Sequence, residues 1–136
     1  MPFVHQLRPR YAEVDAQGVV FNAHWLTYFD EACTRWLDAM GFPPATAFFR
    51  DFDVMVAKAV LEWHGPAGFD DFVDIGVTTA RLGHASFDVR YTATVDGRVA
   101  CVGTITYVSV KPGTHESTPI PAMLREKLEA DAVPGS

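Results

Sequence analysis

Asp15 is the carboxylate whose position in this sequence best suits chemistry. It lies in a turn-rich stretch, residues 13 to 21, seven positions before Asn22, where a helix is predicted to begin. The first N–H groups of a helix have no partners inside it, and together with the helix dipole they favour negative charge. A carboxylate close to such an oxyanion site is a combination that suits hydrolysis.

Other chemistries lack their sequence signatures. The five histidines form neither the i, i+4 pair of a zinc protease nor a Cys/His spacing of a structural metal site, and Cys33 and Cys101 lie far apart. The G-x-S-x-G, Walker and G-x-G-x-x-G patterns are also absent. We therefore expect no metal, no disulfide framework and no dinucleotide cofactor.

Composition limits the classes of protein further. The chain has 136 residues, 49% of them hydrophobic, with a formal net charge of −6. Such a chain is expected to form one domain, residues 1–136, and has no broad attraction to nucleic acid or to an anionic membrane. The N-terminus lacks a signal-peptide pattern, and no apolar stretch is long enough to span a membrane. Cytoplasmic residence is the default expectation.

Apolar periodicity predicts one helix that follows the Asp15 stretch. Large apolar residues recur with helical spacing between Asn22 and about Met40. Asn22 is a favourable N-terminal cap, and Gly41 followed by two prolines is a stop signal. A loop is expected near 41 to 52, and a second, short helix is predicted from Pro121 to about Ala130.

The remaining segments are typical of strands. Asp96-Gly97 favours a type I′ hairpin between the last two. The strand at 99 to 110 carries apolar residues on both faces, which predicts contact with a second subunit. An α+β fold follows. The predicted strands cover residues 3 to 8, 53 to 64, 71 to 82, 85 to 95 and 99 to 110.

Three stretches carry a resemblance to a known family. Residues 11 to 32 contain an Asp-x-x-Gly-Val-Val-aromatic core, from Asp15 through Phe21. Residues 65 to 71 and 81 to 87 resemble a turn and a hairpin of the same family. In these stretches the sequence resembles the hotdog-fold acyl-CoA thioesterases of the 4-hydroxybenzoyl-CoA thioesterase type, including the branch associated with the Tol–Pal cluster. The match extends over nearly the whole chain.

The resemblance implies a fold, a reaction and a partner. The fold would be a hotdog, an antiparallel sheet wrapped around one long central helix, dimerised edge to edge and often paired into tetramers, with active sites at the dimer interface. The reaction would be hydrolysis of acyl-CoA to free acid and CoASH, with no cofactor beyond the coenzyme A of the substrate. Asp15 would be the nucleophile or general base, and the backbone N–H of Asn22 would polarise the thioester carbonyl.

The resemblance also implies substrate contacts, each with a plainer alternative. Asp15 could instead accept loop N–H groups, Trp25 also fits core packing, and His24 fits the pocket wall better than a proton shuttle. Glu31, in the middle of the helix, fits an interface or supporting position. Arg81 and Lys58 could be ordinary solvated charges, and Ser86 a polar residue on a strand face. The implied substrate-binding residues are Gly18, Val20, His24, Trp25, Lys58, Arg81, His84 and Ser86.

Three other functions remain open at this stage. His84 occupies a position that is often Arg in the family, so the acyl group could be attached to an acyl carrier protein. A hotdog hydratase would need a His paired with its acid, and no such pair stands out. A non-catalytic acyl-CoA-binding protein would be indifferent to loss of Asp15. Acyl length, the choice between nucleophile and base, and dimer or tetramer all stay undecided.

Overall fold

The computed structural model describes residues 3–44 and 50–132. All neighbouring strands of its five-stranded sheet are antiparallel, in the order β1-β3-β4-β5-β2. Every predicted strand is present within two residues of its expected ends. The elements are β1 (Phe3–Leu7), a 3₁₀ turn (Tyr11–Glu13), α1 (His24–Ala39), β2 (Asp53–Trp63), β3 (Val73–Leu82), β4 (Ser86–Val95), β5 (Arg98–Val110) and α2 (Ala122–Asp131).

The tight turn between β4 and β5 confirms the hairpin prediction. Asp96 has φ +51° and Gly97 has φ +79°, and Val95 pairs with Arg98 across them. Positive φ at both central residues is the requirement of a type I′ turn, which Asp and Gly tolerate best. Part of the loop predicted near 41 to 52, residues 45 to 49, lies outside the described residues.

Helix α1 is shorter than predicted. It has 16 residues and begins at His24, so the prediction that Asn22 caps it is wrong: the cap is Ala23, without a side-chain hydrogen bond. The reason is local, because the N–H of His24 already bonds to the carbonyl of Phe21 over 2.9 Å, which makes residues 22 and 23 a turn. At the other end, Gly41 has φ +100° and stops the helix as predicted.

The buried face of α1 packs on the sheet. Phe29 stacks on Tyr91 of β4, with ring centroids 5.0 Å apart, and Tyr91 and Tyr107 share a hydrogen bond between their hydroxyls. Gly103 of β5 leaves the space for Phe29, since a Cβ atom there would stand 2.6 Å from the Phe29 ring. The buried residues of α1 recur with the helical spacing that the sequence predicted. They are Trp25, Tyr28, Phe29, Ala32, Cys33, Trp36 and Leu37.

One carboxylate of the second helix bonds to both the sheet and α1. Asp131, the last residue of α2, accepts the N–H and the hydroxyl of Thr79 over 2.6 and 2.8 Å through Oδ2, and the indole N–H of Trp36 over 3.3 Å through Oδ1. Thr79 lies beside an irregularity in the pairing of β3 with β4. Three donors from two other elements therefore converge on Asp131.

We expect Asp131→Ala to lower the free energy of unfolding by about 1–3 kcal/mol, because it leaves buried donors without partners. Chemical denaturation monitored by tryptophan fluorescence measures the change. Glu129→Ala, two residues earlier on α2, removes only a long ion pair of 3.8 Å to Arg125 and serves as the control. Equal stability of the two variants would contradict a stabilising role for the Asp131 hydrogen bonds.

Candidate active site

The Asp15 stretch folds into a small hairpin in front of α1. The N–H of Asp15 bonds to the carbonyl of Val19 over 2.8 Å, the N–H of Phe21 bonds to the carbonyl of Glu13 over 3.0 Å, and Val14 and Val20 bridge between them. Gly18 has φ +78°, a backbone conformation that glycine adopts more readily than other residues. Asp15 thus starts the turn of the hairpin, and Asn22 follows its last paired residue.

Asp15 is partly exposed and uses one of its two carboxylate oxygens. Oδ1 accepts the N–H of Gln17 over 2.8 Å, the loop-capping role that was the plainer alternative. Within residues 3–44 and 50–132, no hydrogen bond engages Oδ2. The turn therefore orients the carboxylate and leaves one oxygen available for chemistry.

The turn at residues 22 and 23 presents unpaired backbone donors. His24 donates its N–H to the hairpin, whereas the N–H groups of Asn22 and Ala23 have no partner in the part of the chain that the structure describes. Both residues are exposed. Two adjacent free N–H groups just before a helix can stabilise negative charge on an oxygen, even though α1 itself starts two residues later than predicted.

The predicted contacts nearest to Asn22 differ in exposure. The His24 ring is partly exposed and lies edge-on to Phe21, with ring centroids 6.0 Å apart. Val20 is 4% exposed, and its N–H bonds to the carbonyl of Ala67 over 2.8 Å. Trp25 is 2% exposed and packs on other aromatic rings of α1. The structure therefore places His24 at the surface of the site and the other two side chains in the core.

The turn at 65 to 71 holds the hairpin. Val19 bridges to Gly68, whose N–H bonds to Asp71 Oδ2 over 2.7 Å. Asp70 adopts φ +67° and pairs with Arg8, which also lies 4.3 Å over the Phe72 ring. This second recognised stretch thus contacts the first, although they are about fifty residues apart in the chain.

Four strands bring two of the predicted substrate-binding residues, Arg81 and Lys58, into one row on the sheet. Arg81 of β3 binds both carboxylate oxygens of Asp88 over 3.0 and 3.1 Å and donates to the Ser86 hydroxyl over 3.0 Å. Thr106 of β5 pairs with both Asp88 and Lys58 in register. The hydrogen bond from Arg81 outweighs desolvation and lowers the pKa of Asp88, with further help from Thr106 and the nearby charges.

His84 lies apart from that row. It is exposed in the loop between β3 and β4, and its carbonyl accepts the N–H of Ile120 and the guanidinium of Arg125. Arg125 and His84 line the same cavity of about 490 Å³. The sequence analysis missed Arg125, because only folding brings the start of α2 to this loop.

A further polar cluster that the sequence analysis missed lies at the base of the hairpin. Glu13 accepts the hydroxyl of Tyr28 over 3.0 Å and the N–H of Arg10 over 2.7 Å. Burial and the neighbouring carboxylate raise the pKa of Tyr28, so its hydroxyl stays protonated. Burial alone would raise the pKa of Glu13, but the Arg10 and Tyr28 hydrogen bonds with the Arg10 charge lower it. Glu13, Tyr28 and Glu31 line one cleft, where Glu31 pairs with His5 over 2.5 Å. This contact agrees with the supporting position expected for Glu31.

An apolar groove of about 370 Å³ runs beside Asn22. Phe21 and Leu26 form its wall on the α1 side, while Ala59, Leu61 and Trp63 form its wall on β2. Among the described residues, no group of three or more His, Cys, Asp or Glu side chains could hold a metal ion, and no helix could cross a membrane. The apolar groove thus adjoins the backbone of Asn22 and Ala23, and Asp15 lies on the hairpin that leads to Asn22.

An antiparallel five-stranded sheet packed against α1 is a fold of the hotdog type. Residues 9–128 match the thioesterase-like superfamily, and the chain belongs to that family. It is therefore a hydrolase that acts on thioesters.

Individual relatives agree with this assignment. A 1,4-dihydroxy-2-naphthoyl-CoA hydrolase of Rippkaea orientalis is 29% identical, over 89% of this chain and 91% of its own. The acyl-CoA thioester hydrolase YbgC of Escherichia coli is 29% identical over about half of each chain. The structure of BH1999, a gentisyl-coenzyme A thioesterase, superposes with a TM-score of 0.84 and 26% identity, and covers 93% of this chain and 99% of that one.

Proposed function

We propose that this protein hydrolyses acyl-CoA thioesters to the free acid and CoASH, with Asp15 as the catalytic carboxylate. The observation that carries the proposal is the hairpin itself. In the part of the chain that the structure describes, it holds Asp15 with one carboxylate oxygen free of hydrogen bonds and leads directly to Asn22, whose N–H has no partner there. The names of the relatives support coenzyme A as the thiol. The proposed reaction uses no metal and no organic cofactor.

Two routes fit these groups. In the first, a free oxygen of Asp15 attacks the thioester carbonyl, the C–S bond breaks, CoA leaves as thiolate and water then hydrolyses the mixed anhydride. In the second, Asp15 takes a proton from water as the water attacks the carbonyl, and the tetrahedral intermediate then collapses with cleavage of the C–S bond and departure of CoA as thiolate. In both, the N–H of Asn22 donates to the carbonyl oxygen as negative charge develops there. His24 and Gly18 would line the approach to this centre.

The row on the sheet is the proposed binding site for the phosphates of coenzyme A. Arg81 and Lys58 supply the positive charge, and Ser86 supplies a hydroxyl. Asp88 competes with a phosphate for Arg81, because it already holds the guanidinium through two hydrogen bonds. His84 would contact the nucleotide end from the neighbouring loop.

We expect Arg81→Gln to raise KM for an acyl-CoA by roughly 3- to 10-fold with little change in kcat, as for loss of one partly solvated ionic contact. Steady-state kinetics measure both constants, and Lys58→Gln should behave alike. Arg98→Gln, at the β4–β5 hairpin, is the matched control. Unchanged KM in both the Arg81 and Lys58 variants would reject this phosphate site.

A homodimer is the proposed assembly, with a dimer of dimers as its extension. Strand β2 forms one edge of the sheet and exposes apolar side chains there, among them Met55 and Val56. Long apolar edge strands are usually covered in folded proteins. The second apolar face of β5, from which the sequence predicted an oligomer, is already half-buried within one subunit. The exposed edge at β2 is therefore the stronger support for a dimer. Cytoplasmic residence stays a prediction.

Two finer assignments also belong to the proposal. The Tol–Pal-associated branch rests on the hairpin motif, and the YbgC match extends over only half of the chain. Hydrolysis of acyl groups on a carrier protein is the second candidate, favoured by His84 standing at a position that is often Arg. Release of thiol from a panel of short, medium and long acyl-CoAs and aryl-CoAs tests the main proposal. Inactivity on the whole panel would refute it.

A further inference from the structure

The groove beside Asn22 is almost free of polar groups. Phe21, Leu26 and Trp63 are 50%, 44% and 55% exposed, so large apolar side chains face a space that no residue of 3–44 or 50–132 fills. The groove lies on the α1 side of the sheet, because Ala59 and Leu61 pair in register with buried residues of β5. Of the side chains that line it, only the Asn22 amide and the Trp63 indole carry polar atoms.

We propose that this groove binds the acyl part of the thioester and selects acyl groups that are apolar to their ends, such as alkyl chains or unsubstituted aryl rings, over hydroxylated ones. This inference rests on the proposed function, since the thioester must place its carbonyl oxygen at the Asn22 N–H. The groove is the apolar space that adjoins Asn22, so it is where the acyl group would lie. Its volume of about 370 Å³ is at the lower end of ligand pockets, of roughly 300–1,000 Å³.

The selectivity follows from desolvation. A hydroxyl that enters an apolar groove loses its hydrogen bonds to water, and one left without a partner costs roughly 1–3 kcal/mol. An apolar pocket therefore discriminates against an added hydroxyl by at most about 10²-fold. The relatives named for hydroxylated aryl-CoAs, 1,4-dihydroxy-2-naphthoyl-CoA and gentisyl-CoA, would differ from this chain in that preference.

The shape of the site favours an acyl group over a second copy of the chain as the occupant. Asn22 and Ala23, whose N–H groups have no partner among the described residues, line the groove together with apolar side chains, which matches one carbonyl joined to one apolar group. A partner copy that pairs with the free edge of β2 would bond along the strand, whereas the groove opens on the face of that strand.

The test compares substrates that differ only by a hydroxyl. The unmodified protein is assayed with two pairs of substrates: hexanoyl-CoA and 6-hydroxyhexanoyl-CoA, and benzoyl-CoA and 4-hydroxybenzoyl-CoA. The value of kcat/KM is measured for each substrate. We expect the unsubstituted member of each pair to be favoured about 10-fold or more. Equal values, or preference for the hydroxylated members, would overturn the acyl inference alone. Inactivity on all four substrates and on the wider panel would overturn the proposed function as well.

A pair of variants locates the effect. Ala59→Phe should fill the groove and lower kcat/KM for hexanoyl-CoA at least 10-fold more than for acetyl-CoA. Val60→Phe introduces the same side chain on the opposite face of β2, where Val60 is exposed, and should leave the ratio of the two substrates unchanged. If Ala59→Phe leaves that ratio unchanged but alters the sedimentation mass, the groove is an interface between copies and the inference fails.

Discussion

Asp15→Asn should lower kcat for thioester hydrolysis by about 10² or more while the protein stays folded. The amide keeps the size of the carboxylate, and its oxygen can still accept the N–H of Gln17, so the turn is preserved. What disappears is the negative charge, and with it both the nucleophile and the base. Release of free thiol from the best acyl-CoA of the panel measures the loss.

Two controls separate this loss from a fold defect. Asp38→Asn removes a partly exposed carboxylate of α1 whose one ion pair among the described residues is with Arg35, three residues earlier, and should retain full activity. Thermal unfolding of both variants should match that of the unmodified protein within about 0.5 kcal/mol, as for surface substitutions. An Asp15→Asn variant with normal kcat would leave Asp15 with its loop-capping role alone.

Gly103→Ala should destabilise the protein by about 1–3 kcal/mol, the usual cost of forcing a group into a filled core. The added Cβ would lie 2.6 Å from Cε2 and 3.0 Å from Cδ2 of Phe29. The ring has little room to retreat, because it is fully buried and stacked on Tyr91. The midpoint of urea unfolding reports the change.

Matched variants test the cause. Gly76→Ala places a Cβ on β3 with its nearest contact at 3.9 Å, and should be close to neutral. Phe29→Leu reduces the ring that creates the clash, so the double variant should lose less than the sum of the two single losses. Additive losses, or equal losses at Gly76 and Gly103, would show that the contact with Phe29 is not responsible.

The start of α1 shows where local sequence signals stop. Asn22 has the ordinary features of an N-cap, and the apolar spacing extends back to it. In the structure, Phe21 pairs with Glu13 in the hairpin, so the chain is extended up to the residue before Asn22. The N–H of His24 then bonds to the carbonyl of Phe21 in a turn, and the helix starts later than predicted. The hairpin outweighed the capping preference, and as a result two N–H groups remain free where the sequence predicted a capped helix.

Periodicity and turn chemistry determined most of the secondary structure by themselves. The alternation in β4, the Asp96-Gly97 turn and the apolar face of α1 are local patterns that depend on neighbouring residues in the chain, and the structure agrees with each of them. Asp15 was also identified from the sequence, because its position before a helix and its motif are both local.

Only the tertiary structure decided which distant residues meet. The pairing of Arg81 with Asp88, the convergence on Asp131, the space at Gly103 and the groove between α1 and β2 each join segments separated along the chain. Composition and spacing carry no record of such contacts, because strand register and helix packing set them. The sequence alone therefore determined the elements and the catalytic candidate, and packing decided what those elements enclose.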